Sequence, residues 1–150
     1  MSTDYIVASL PALAFGEKAP ITWEKFVEAC GGRAPENAAW REIETELRNA
    51  MAAARGGAKF ARPTRACLLY WRDRVSACFQ EKDVARREDL LDRVWWDAAG
   101  ELTPPASPLG KGALATYAVR LRIALRRAAV STEKGNAAFD RLTAETKRPI

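Results

Sequence analysis

The stretch Tyr117–Arg127, "YAVRLRIALRR", decides the fold class. With its neighbours it places Leu114, Tyr117, Leu121, Leu125 and Ala128 at intervals of three and four residues. That is the period of a helix turning one face to a core. At 100° per residue, Arg120 and Arg127 flank this stripe on one side, and Arg122 and Arg126 flank it on the other. The arginines therefore frame an apolar stripe instead of forming one basic face. Two readings stand: a core helix with solvated borders, or an interface for an acidic partner. Arginine suits the second because its planar fork pairs bidentately with carboxylate or phosphate.

The same period runs outward through the chain. Upstream, Thr22 is placed to cap a short helix in which Trp23, Phe26, Val27 and Cys30 share a face, and Gly31 is placed to end it. Pro35 suits the first turn of a second helix, with Trp40, Ile43, Leu47, Ala50, Met51 and Ala54 as its stripe and Gly56 as its end. Glu44 and Arg48 form a favourable i, i+4 pair there. Pro63 opens a third, carrying Leu68, Trp71, Val75, Cys78 and Phe79.

A fourth helix is expected from Asp83 to about Ala99, with Val84, Leu91, Val94, Trp95 and Ala98 inward and charge pairs Asp83–Arg87 and Asp89–Arg93. Only "QEKD" separates it from the third, so the two are either one helix or two. The loop "GELTPPASPLGKG" (Gly100–Gly112) then leads to a fifth helix, about Ala113–Val130. Ser131 or Thr132 is expected to cap a sixth, with Phe139 and Leu142 inward. No segment reads as a clear strand. The expectation is an all-α, single-domain protein of 150 residues, a compact bundle of five to seven helices with one internal Pro/Gly-rich loop at 100–112.

Composition narrows the function. The chain has no histidine, which removes the commonest general base and the commonest metal ligand. No phosphate-binding glycine loop, dinucleotide fingerprint or nucleophile–base set occurs. The sequence therefore argues against an enzyme and calls for no cofactor, no small-molecule substrate and no metal. Cys30, Cys67 and Cys78 include no C-x-x-C and read as thiols of a reducing compartment. Glu88, Asp89 and Asp92 are a weak cation candidate without the loop that calcium sites need, so a solvated acidic face is preferred. Trp95-Trp96 point 100° apart on a helix, so they serve two packed sides, or one side and a partner.

The net charge of +5 is unevenly spread. Arg55–Arg74 holds six basic residues and one acid, whereas Glu81–Glu101 holds seven acids and four bases. Lys59, Arg62 and Arg65 around Phe60 support the rival reading, a basic helical nucleic-acid-binding protein. The opening "YIVASLPALAFG" (Tyr5–Gly16) follows an acid, Asp4, and is broken by Pro11. It is neither a secretory signal nor a span, and a cytoplasmic protein is expected.

Three segments carry a resemblance. "YIVASLPALAFGEKAPITWEKFVEAC" (Tyr5–Cys30) is similar to the start of a small bacterial family encoded beside the genes of V-type (A/V-type) ATPases. "EDLLDRVWWDAAGEL" (Glu88–Leu102) resembles that family's leucine, aspartate, arginine and tryptophan helix. "LATYAVRLRIALRRAAVSTEKGNAAFDRL" (Leu114–Leu142) resembles its Y-x-x-x-L-x-I helix and the segment after it. The opening also resembles a helical unit of the ATPase's stalk-capping C-type component (d-type in eukaryotes), a protein about twice as long. The resemblance implies a non-catalytic subunit or assembly or coupling factor. It would bind ATPase subunits on the side of the central stalk or proteolipid ring and meet the inner membrane only through that complex. It supplies no active-site residue. The partner-binding residues expected from the sequence are Arg120, Arg122, Arg126 and Arg127 for an acidic surface. Leu10, Pro11, Phe15 and Gly16 are expected to shape the N-terminal element.

Overall fold

A computed structural model of the chain describes residues 2–36, 38–57 and 69–146, with side chains described as far as residue 131. The described residues form helices and loops with no strand, as the periodicity predicts. The helices are α1 (Thr3–Ser9), α2 (Trp23–Ala29), α3 (Ala38–Ala54), α4 (Leu69–Cys78), α5 (Val84–Ala99) and α6 (Lys111–Thr146). A 3-10 turn over Gly100–Leu102 extends α5.

Helix ends follow local chemistry. The Thr22 hydroxyl accepts the Lys25 N–H at 3.2 Å and starts α2. At its other end Gly31 N–H donates to Glu28 O and Gly32 N–H to Val27 O, with Gly31 at φ +85°. This paired closure satisfies carbonyls that the helix leaves open. Gly56 closes α3 identically, Gly57 reaching back to Ala52 O at 2.7 Å. The Asp83 carboxylate accepts from Ala85 N–H and Arg86 N–H, so α5 begins afresh after α4 instead of continuing it.

Several boundaries and faces differ from expectation. Pro35 lies ahead of α3, which opens at Ala38. Asp83 is occupied as a cap, and Arg87 donates instead to Glu81 O at 3.0 and 3.1 Å. Arg93 pairs with Asp97, while Asp89 pairs with Arg127. Val84 is 64% exposed, and Trp96 is the more buried of the tryptophan pair. The expected fifth and sixth helices are one helix of 36 residues, about 54 Å long at 1.5 Å per residue. No proline interrupts it, and Gly135 costs only about 1 kcal/mol inside a helix. Pro63, Leu68 and Cys67 fall outside the described residues, as do the side chains of Phe139 and Leu142. Cys30 and Cys78 are free thiols.

The core is in two clusters that share α6. In one, Trp40, Leu47, Trp71, Val75, Leu91, Val94 and Trp96 from α3, α4 and α5 meet Val119 and Ile123 of α6. In the other, Phe26 of α2 meets Leu114, Ala118 and Leu121 of α6, with Ile6, Val7 and Leu10 packed against them. Leu13 and Ala19, between α1 and α2, touch both. Glu46 on α3 is fully buried and forms an ion pair with Arg72 of α4. Among the described residues, no helix is long and apolar enough to cross a membrane.

Candidate functional site

Four elements converge on a trench. Capping by Thr22 makes Trp23 the first residue of α2, one turn before the buried Phe26. The two rings lie 5.3 Å apart, and Phe26 in turn stacks on Tyr117 of α6 at 5.3 Å. Trp23 is thereby fixed at the edge of the α2–α6 cluster. Trp40 comes from the first turn of α3, behind the loop that contains Pro35, and Trp95 from α5. With Arg41 of α3 and Arg122 of α6 these indoles line a cavity of about 510 Å³. A second cavity of about 390 Å³, lined by Arg48, Met51, Arg55 and Leu91, shares Glu44, Trp95 and Arg126 with the first. The two adjoin at these residues, side by side where α3 faces α5 and α6.

Charge along the trench is mixed and mostly internally satisfied. Five arginines line the two cavities against three carboxylates. Arg48 pairs with Glu44 at 3.6 Å, and Arg126 donates to Asp92. Arg55 lies over the Phe79 ring at 5.5 Å. Arg122 lies over the Trp23 ring, 4.2 Å from its centroid, a cation–π contact. Among the described residues neither Arg41 nor Arg122 meets a carboxylate.

The four arginines singled out from the sequence have different surroundings. Arg120 is half-buried: its Nε donates to Trp96 O at 3.0 Å and its guanidinium lies over the Trp96 ring. Burial lowers its pKa from the usual arginine value, with Asp97 opposing and Arg93 adding to the shift. Arg126 and Arg127 both donate to Asp92, and Arg127 also reaches Asp89 at 3.1 Å. These bonds tie α5 to α6 and occupy part of the expected acidic face. Of the four, Arg122 alone lines the indole cavity without a carboxylate partner among the described residues.

The N-terminal residues singled out from the sequence act within the fold. Leu10 packs on the Phe26 cluster, and Pro11 O accepts the Tyr117 hydroxyl at 2.7 Å. Phe15 meets Trp96 edge-on at 5.6 Å and carries Arg93 and Arg127 over its ring. Gly16 adopts φ +85° at the turn that follows. Lys59, Phe60, Arg62 and Arg65, the heart of the rival nucleic-acid patch, lie outside the described residues.

The trench is not visible in the sequence. Periodicity puts Trp23 and Trp40 in core stripes and gives Arg41 no special place. The one local signal is the adjacent pair Trp40-Arg41, an indole and a cation on neighbouring positions. In comparisons with family models, curated proteins and solved structures, nothing matches this chain.

Proposed function

We propose that this protein is a non-catalytic helical binding module, a subunit or an assembly or coupling factor of a bacterial V-type ATPase. It binds other subunits of that complex on the cytoplasmic side. The observation that carries the binding role is the indole-walled trench beside two guanidinium groups, Arg41 and Arg122, that meet no carboxylate among the described residues. An apolar wall supplies affinity on closure, and arginines that meet no carboxylate among the described residues supply selectivity for an acidic partner. The ATPase assignment is supported by the order of the three sequence motifs. The ion pairs from Asp89 and Asp92 to Arg126 and Arg127 support the role of a stiff part, because they lock α6 to α5.

The test is co-purification at native expression level from gently solubilised membranes, with subunits quantified by mass spectrometry. Stoichiometric recovery of ATPase stalk or ring subunits is expected. A quantitative pull-down that lacks every ATPase subunit overturns the assignment.

A further inference from the structure

We infer that the trench receives an acidic peptide segment of a partner chain, which anchors one aromatic side chain among Trp23, Trp40 and Trp95. The inference rests on the protein-binding part of the reading above and needs no ATPase.

Shape comes first. The two cavities, about 510 and 390 Å³, adjoin at Glu44, Trp95 and Arg126, so together they offer more length than one compact ligand requires. An extended segment fills such a shape with one anchor and its flanking residues. Trp40 is 5% exposed and Trp95 half-buried, so both indoles are packed into the core behind the floor and do not have to be ordered by a partner. Aromatic rings favour edge-to-face or offset contact with indoles, which makes an aromatic residue the fitting anchor.

Charge fixes the flanks. Arg41 and Arg122 line the indole cavity without a carboxylate among the described residues, and each offers a planar fork to one. A basic segment is repelled by the same two groups. A nucleic-acid backbone carries a charge at every phosphate and would run past Glu44, Glu88 and Asp92 along the trench. An acidic peptide can space its carboxylates to meet the arginines and avoid these acids.

The experiment selects from a displayed library of random nine-residue peptides with the full chain as bait. Enriched peptides are expected to carry one aromatic and at least two acidic residues. Their affinity should fall at least tenfold in the Arg41→Gln/Arg122→Gln double variant, and tenfold or more when the peptide aromatic becomes alanine. It should weaken with added salt, as screening requires. Arg86→Gln, on a separate cavity beside Phe15, should leave binding unchanged. Circular dichroism verifies folding of the double variant; if it is unfolded, Arg41→Gln alone carries the comparison, since Arg41 is exposed. The inference is overturned by no enrichment, by enrichment of basic peptides, or by undiminished binding to the variants. It is equally overturned if phenylacetate binds as tightly as the selected peptides, or if a single-stranded oligonucleotide displaces them with higher affinity. Peptide capture with no ATPase recovery would keep the site and remove the ATPase assignment, and the reverse pair of results would do the opposite.

Discussion

Tyr117 fastens the opening segment to α6, because its hydroxyl donates to Pro11 O at 2.7 Å while its ring stacks on Phe26. Tyr117→Phe keeps the ring and leaves that carbonyl without its partner. A loss of about 1 kcal/mol is expected at neutral pH, read as a melting point lower by about 2–4 °C. Burial raises the Tyr117 pKa above its ordinary 10.0. The neutral phenol is thus favoured in the folded state. That contribution is fully present below pH about 10 and is lost as pH rises through the raised folded value. The stability gap between wild type and Tyr117→Phe should therefore narrow in urea titrations above pH 10; a constant gap would contradict the linkage. A different constraint holds Gly112. A Cβ there would overlap Leu102 O and stand 3.1 Å from Pro104 Cδ, so backbone must move to admit it. Gly112→Ala is expected to destabilise by about 1–3 kcal/mol. Gly110→Ala meets chiefly the rotatable Ser107 Oγ at 2.8 Å and should lose less in the same denaturation assay.

At the scale of elements, Asp92 joins α5 to α6. Its side chain is 20% exposed and accepts from both Arg126 and Arg127, whereas Asp89, 66% exposed, forms an ion pair with Arg127. Asp92→Asn should cost about 1.5–3 kcal/mol, the range for a charged hydrogen-bond acceptor. Asp89→Asn should stay within about 1 kcal/mol, as exposed pairs do. Equal midpoint shifts in urea would show that the two carboxylates share the load. Helix identity and several caps were legible beforehand because they are local: Thr22 starts α2, and Gly31 and Gly56 close α2 and α3, by bonds to neighbours in sequence. Pairings that depend on a second helix were not. Asp89 is one turn from Arg93 on α5, yet it meets Arg127 of α6, and Arg93 turns to Asp97. The trench was hidden for the same reason, since Trp23, Trp40, Trp95 and Arg122 come from four helices and no spacing links them. The unbroken α6 shows the opposite limit: Ser131, Thr132 and Gly135 imitate a boundary, but a helix tolerates each singly at small cost.

Over the whole molecule, the two core clusters have α6 in common, with Leu121 facing Phe26 and Ile123 facing the α3–α5 side. Leu13 and Ala19 close the remaining seam between them. Neither cluster has a complete wall without this helix, so opening one exposes apolar surface of the other. Unfolding should then be a single cooperative event despite the divided core. The fluorescence of the chain tests this directly. Trp40, Trp71, Trp95 and Trp96 lie on α3, α4 and α5, while Trp23 alone belongs with Phe26. Leu121 is fully buried in the Phe26 cluster, so Leu121→Ala should destabilise by about 2–5 kcal/mol. If α6 couples the clusters, the tryptophan signal, which arises chiefly from the other one, shifts to the same lower urea midpoint as the far-ultraviolet dichroism. If the clusters are independent, fluorescence keeps nearly its wild-type midpoint while dichroism splits into two steps, and the shared-helix account fails.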